Sequence, residues 1–381
     1  MDTAFERILI NCDVQFLLLT TTHLKKMKRF LVLPAVALIL FTGCKKEEVL
    51  TKVNNSQLEQ NILNDFASVL VFPNYVEINS RAASMNALIQ AFVNQPNDTT
   101  LELIRQSWKS TRSQWELSES YLFGPVDDYS YDPMMDTWPI NHVDLDSLLA
   151  TSVSLTPADI DVLPTSLKGF HPIEYLIFGL AGNRSTSDFT PREMEYLSSL
   201  SNNLNSITLN LRNSWDPALT GNFSVQLTTA GTGSIRFASR KEAFITIVNA
   251  MAGICDEVAN GKMEEPLVAQ DSLLEESQFS HNSLEDFTNN IRGVRNTYLC
   301  TFTSDGIGLN ELVSSINISL DNSIRSKIDA AINSFSAIDS NYGRAIYYQQ
   351  VQIMNTQSLI NDLKTIIEND LFNFVITNVK D

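Results

Sequence analysis

From Leu58 to Val93, apolar side chains return at helical intervals: Leu58, Ile62, Phe66, Val69 and Leu70, and again from Tyr75 to Phe92. A period of this kind lays one apolar stripe along a helix and is incompatible with the alternation of a strand. Pro73 falls inside the run and is expected to kink or break it. The pattern recurs down the chain. A helix is expected from Asp98, as N-cap, to about Leu122, and another from Thr190-Pro191-Arg192-Glu193, an N-terminal signature with Glu at the third helical position, to about Trp215. Further helices are expected over 236–262, from Ser283 as cap to about Cys300, over 309–338 with a break near Ser319 or Asp321, and over 342–372. With only 14 glycines and 12 prolines in 381 residues, few turn signals interrupt these runs. The expected fold class is therefore all-α. Residues 124–141 read as an ordered loop bearing Asp127, Asp128, Asp132 and Asp136, followed by a short helix at 142–150. Residues 216–235 are the weakest segment. They hold a possible hairpin at 222–227, and a domain boundary is placed near 225. Strand–helix alternation, a Gly-rich phosphate loop and a Gly-x-Ser-x-Gly elbow are all missing from the sequence.

The N-terminal residues read as an address. Met27-Lys28-Arg29 is a basic start, and Phe30 to Phe41 is an apolar run too short to span a bilayer. Thr42-Gly43-Cys44 then resembles a bacterial lipobox, which implies that Cys44 is lipidated and becomes the mature N-terminus. Residues 1–44 are thus assigned to an upstream extension plus lipoprotein signal peptide, and 45–57 to a polar tether. The expected location is the bacterial cell envelope, anchored in the outer membrane at its periplasmic or surface face. Of the remaining cysteines, Cys255 and Cys300 are free to pair or to stay apart. The net charge of −17 argues against a nucleic-acid partner and favours cations over anions near the surface.

One stretch carries chemistry: Gly169-Phe170-His171-Pro172-Ile173-Glu174-Tyr175-Leu176-Ile177-Phe178-Gly179. His171 and Glu174 are three residues apart, so a helix points the imidazole and the carboxylate the same way. Apolar residues surround them, and a buried polar pair is costly unless it is satisfied. The pair therefore either braces the core or belongs to a site. Upstream, Trp108, Arg112, Trp115 and Glu119 share one helix side, which suggests a tryptophan-lined core with an Arg–Glu neighbour.

The stretch resembles the Gly-x-His-x-x-Glu motif of the imelysin family. The order of its flanks is also similar: Arg112, Glu119 and Phe123-Gly124, then Asp136 and Trp138-Pro139 before the motif, and Glu276-Ser277-Gln278-Phe279-Ser280-His281-Asn282-Ser283 with Asp286, Asn289-Asn290, Gly293 and Tyr298 after it. The resemblance implies two four-helix-bundle-like domains related by internal duplication, here 58–225 and 226–381, with the motif near a cleft between them. It further implies a cell-envelope lipoprotein connected with iron uptake, in a family that also carries a peptidase classification.

Three functions follow. In the first, Arg112, Glu119, Asp136, Gly169, His171 and Glu174 face Ser280, Asn282 and Asp286 across a ligand cleft. His171 and Glu174 then offer metal ligands suited to iron or zinc. In the second, the chain is a metallopeptidase using His171 and Glu174. A zinc peptidase needs three protein ligands, so a third would have to arrive from far along the chain. In the third, the motif only locks two bundles together and an envelope protein partner binds elsewhere.

Overall fold

The computed structural model describes residues 55–380. The expected signal peptide, the lipidation site Cys44 and residues 45–54 of the tether lie outside the described residues. The described residues are all-α, with no strand among them, only an isolated bridge between Thr301 and Asp305. None of the described helices is long and apolar enough to cross a membrane.

The first run passes through Pro73 without breaking. Helix α1 (Ser56–Asp65) continues through a π turn (Phe66–Val71) into α2 (Phe72–Asn94). The Phe72 N–H bonds to the Ala67 carbonyl five residues back, so the ladder has already widened where the proline lacks its own donor. Helix α3 (Asp98–Glu116) is capped by Asn97, whose side chain accepts from the Thr100 N–H. Asp98, expected as the cap, instead accepts from the Thr186 N–H and hydroxyl. The segment expected to be a loop coils into α4 (Pro125–Asp128) and α5 (Tyr131–Asp136). There follow α6 (His142–Ala150), α7 (Pro157–Asp161), α8 (Phe170–Phe178) and α9 (Pro191–Trp215), the last with the expected capping box at Thr190 and Glu193.

The expected hairpin at 222–227 is instead a helical turn, α10 (Ser224–Thr228). Phe223 beside it stacks edge-on against Trp215 at 4.9 Å, and Leu227 is fully buried, so packing overrides the short alternation. Helix α11 (Arg240–Glu257) ends in a second π turn (Val258–Lys262), followed by α12 (Glu264–Ala269). Helix α13 (Ser283–Leu299) has Asn282, not Ser283, at its cap position; the Ser283 hydroxyl donates to Glu275. The break expected near 319–321 falls at Asn317, between α14 (Leu309–Ile316) and α15 (Ile318–Ser334). The final run is α16 (Tyr342–Tyr348), α17 (Gln350–Thr365), a third π turn (Ile366–Leu371) and α18 (Phe372–Asn378). Cys255 and Cys300 are separate buried thiols.

Helices α2, α3, α8 and α9 pack on one another, as do α11, α13, α15 and α17. The frequent Asn and Ser residues join α2 to α9: Asn86 bonds Asn202 and Ser201, and Gln90 bonds Ser198. A seam forms where the end of α3 and the following 3-10 turn (Glu119–Tyr121) meet α11 and α13. Gly293 permits this approach, because a Cβ there would lie 2.7 Å from the Leu117 carbonyl oxygen. The chemistry-bearing residues collect on this seam.

Candidate functional site

Helix α3 buries Arg112 completely. Its guanidinium lies among four carboxylates. Nη2 is 2.5 Å from Glu116 and 2.8 Å from Glu276, Nη1 contacts Asp136 most closely, and Nε is 3.8 Å from Asp286. A second cation sits beside it. The π turn after α11 delivers Lys262, whose Nζ is 2.7 Å from Glu119, 3.0 Å from Glu276, 3.5 Å from Glu116 and 3.9 Å from Glu257. Asn290 of α13 bridges Glu116 and Glu119, donating to both at 2.6 and 2.7 Å.

The Gly-x-His-x-x-Glu stretch is the start of α8. Gly169 has φ +87°, and a Cβ there would stand 2.1 Å from the Met135 carbonyl oxygen. Only glycine lets this turn press against the end of α5, and that contact sets His171 beside Asp136. His171 Nε2 lies 3.0 Å from Asp136 Oδ1, and Nδ1 lies 3.0 Å from Glu174 Oε2. The other Glu174 oxygen accepts from the backbone N–H groups of Phe279 and Ser280 at 3.2 and 2.8 Å and from the Ser280 hydroxyl at 2.7 Å. Asp136 Oδ2 accepts from the Trp115 indole at 2.7 Å. Asp286 accepts from Ser277 and Asn282. Outside the strap 275–283, a cavity of about 740 Å³ is lined by Lys109, Ser280, His281, Asn282, Arg292 and Phe335 among others.

All nine residues singled out in the sequence therefore lie in one connected, buried set of contacts. The pairing differs from the expected one. Arg112 meets Glu116 one turn on, while Glu119 belongs to Lys262 and Asn290. His281 turns toward Glu275 at 3.9 Å, whereas Glu285 pairs with Arg292. Sequence reasoning missed Glu116, Lys262, Glu276, Ser277 and Asn290 as members of the site. The i, i+4 step from Arg112 pointed to Glu116, and the other acceptors and donors fall inside the downstream signature, but nothing in the sequence marked Lys262.

Six buried carboxylates (Glu116, Glu119, Asp136, Glu174, Glu276 and Asp286) face two permanent cations and one imidazole. Burial raises Glu116 to about 7 and drives Glu119 and Asp286 well above the carboxylate range. Burial acts on Asp136 too, but Arg112 and His171 outweigh it and hold that carboxyl far below its ordinary value. For His171, burial favours the neutral ring, yet its bonds to Asp136 and Glu174 prevail and raise it to about 9. Lys262 is held charged by its carboxylates despite burial. At neutral pH the centre thus holds an ionised Asp136–His171 pair, beside which burial makes Glu116, Glu119 and Asp286 hold protons more readily than exposed carboxyls do.

Donor atoms of Asp136, His171 and Glu276 all lie within 4.8 Å of one another, as do those of Glu116, Glu276 and Asp286, and of Glu116, Glu119 and Asp136. Glu276 Oε2 is buried and has no hydrogen-bond partner. Two carboxylate oxygens and an imidazole nitrogen suit iron(II), manganese or zinc, so the residues present fit a divalent metal.

The fold and the seam define a class: an all-helical protein that gathers a histidine and an excess of carboxylates around two internal cations. The family model described as imelysin matches residues 71–369, and the chain belongs to the imelysin family. Iron-regulated protein A of Synechococcus elongatus is 29% identical over 274 residues, covering 72% of this chain and 71% of that protein. A crystal structure of a candidate iron-regulated protein A precursor from Parabacteroides distasonis aligns with a TM-score of 0.76 and 24% identity, over 85% of this chain and 95% of its own. An imelysin-like protein from Psychrobacter arcticum aligns with a TM-score of 0.67 and 13% identity, over 83% of this chain and 95% of its own. At these identities the two structures speak for the fold alone.

Proposed function

We propose that this chain is an iron-related envelope protein that takes a divalent cation, iron(II) or zinc, into the buried centre at Asp136, His171 and Glu276. The observation that carries the reading is Glu276: a carboxylate oxygen of it lies within 4.8 Å of the ligand atoms of His171 and Asp136, and its buried Oε2 meets no donor, in a centre with more carboxylates than cations. Burial makes Glu116, Glu119 and Asp286 readier to hold protons, and a bound metal would release any they hold. Arg112 holds Asp136 and Glu276 in place, and Trp115 fixes the far oxygen of Asp136. Glu174 sets the ring orientation of His171 through Nδ1, leaving Nε2 for the centre. The relative called iron-regulated protein A supports the iron connection. Lipidation at Cys44 would hold the protein at the outer membrane, where such a centre meets incoming metal.

The peptidase alternative gains a distant ligand from Asp136 or Glu276. It asks more of Glu174, however, which would act as base while one oxygen serves His171 and the other already accepts three hydrogen bonds. Binding is therefore the reading the geometry favours.

Metal-free protein titrated with Fe(II) or Zn(II), anaerobically for iron, should bind one equivalent and release protons. A His171→Ala, Glu276→Gln double variant should bind about tenfold or more weakly. Equal affinity in the folded variant would refute the assignment. Chelator-sensitive peptide cleavage that is lost in Glu174→Gln would establish the peptidase instead.

A further inference from the structure

Arg112 and Lys262 are cations of different kinds. Both side chains are fully buried, but the guanidinium is a planar fork held between helices, whereas the ammonium sits on a flexible four-carbon stem. Four carboxylates converge on its Nζ at 2.7 to 3.9 Å: Glu119, Glu276, Glu116 and Glu257. An all-oxygen surround of this kind is what a hard divalent cation takes. Three features beyond the acidic cluster make it a cation position. It already contains a cation. Glu276, one of its walls, carries a buried oxygen that no donor meets. And the ammonium has somewhere to go: Glu257 at the rim keeps 48% of its side-chain surface exposed, and the Trp138 ring lies 5.5 Å from Nζ. The backbone beneath is a π turn, the irregular helix form that recurs at functional sites, and a Cβ at Gly261 would meet nothing within 4 Å.

We propose that Lys262 is the tethered occupant of a second cation position, walled by Glu116, Glu119, Glu257 and Glu276, and that a divalent cation competes with its ammonium for that place. On loading, the Lys262 side chain withdraws past Glu257 and Trp138 toward solvent, keeping its charge, and the cation takes over its carboxylates. The tethered ammonium then sets the concentration at which this position fills, since an entering ion must outbid a competitor that never diffuses away. The inference goes beyond the binding centre at His171, with which it shares only Glu276, and the two stand or fall separately.

The test is equilibrium dialysis with Mn(II), read by elemental analysis, on the whole protein. Lys262→Met keeps the length of the stem and removes the charge. It is expected to bind one more equivalent than the wild type, or to fill that equivalent at about tenfold lower Mn(II). Lys262→Met/Glu119→Gln should lose the gain, and Lys262→Met/His171→Ala should keep it. If Lys262→Met is unfolded without metal, millimolar-range Mn(II) should restore cooperative thermal unfolding by filling the cage. The proposal is overturned by a folded Lys262→Met that binds like the wild type, by an unfolded one that Mn(II) does not rescue, or by a gain that survives Glu119→Gln or disappears with His171→Ala. A wild type that binds no metal beside a Lys262→Met that binds one equivalent would sink the His171 reading and uphold this one.

Discussion

The two ends of the buried centre neutralise carboxylates by different means. At the Glu174 end the donors are fixed: two backbone N–H groups, a hydroxyl and an imidazole, all supplied by the strap 275–283 and the turn at 169–174. At the Lys262 end four carboxylates share an ammonium on a flexible stem, two of them also meeting Arg112 and two accepting from Asn290. Fixed dipoles lose little on closing around an anion and cannot be traded for another ion. A tethered cation, on the proposal above, can. The first end should therefore respond to substitution as structure does, and the second as an exchangeable ligand does, with Arg112 between them as the shared anchor.

The largest effect is expected at the anchor. Arg112→Met strands Glu116, Asp136, Glu276 and Asp286 with one counter-ion fewer, and should cost about 3–5 kcal/mol in urea unfolding. A loss below about 1 kcal/mol would mean that the carboxylates are neutralised without it. Next comes pH. His171 titrates near 6.5 when unfolded but at about 9 in the fold, so its contribution is complete below about pH 6.5 and disappears as pH rises through about 9. Glu116, raised from 4.5 to about 7, changes stability in the same direction over a lower window. Asp136 acts oppositely, supporting the fold above its ordinary range and failing only in strong acid. The melting temperature of metal-free protein should thus fall by several degrees between about pH 6 and pH 9. His171→Gln should flatten the upper part of that curve, and an unchanged slope in this variant would place the titration elsewhere. The smallest effect belongs to the fixed end. Ser280→Ala removes one of three donors to Glu174 Oε1 and should cost about 1 kcal/mol, without altering metal stoichiometry. A change in stoichiometry would erase the contrast between the ends.

Much of this was legible beforehand, for reasons that differ by element. Helices such as α9 announce themselves by period and capping box. The π turn before Pro73 does not, because widening a helical ladder leaves no compositional trace. Within the centre, the residues around His171 stood out because polar groups in an apolar run demand partners. Glu119 was paired with Arg112 on the assumption that α3 keeps its pitch. The helix instead ends at Glu116 and tightens into the 3-10 turn, which rotates Glu119 toward Lys262. Lys262 itself was invisible, since a lysine after a long helix ordinarily answers the helix dipole from the surface. Its burial is a decision of the tertiary fold.

The spacing of the centre along the chain bears on how the molecule is made. Glu116 and Glu119 leave the ribosome well over a hundred residues before Lys262, and Asp136 and Glu174 long before Glu276 and the strap. Until those later residues arrive, the early carboxylates have no complete set of partners and are better off in water. The seam should therefore close last, after the separate helices have formed, and a chain halted before residue 262 should show exchange-labile amides at the end of α3 while α2 and α9 are already protected. Pulsed hydrogen exchange on refolding protein would reveal that order, or show a seam that closes early and in one step with the rest.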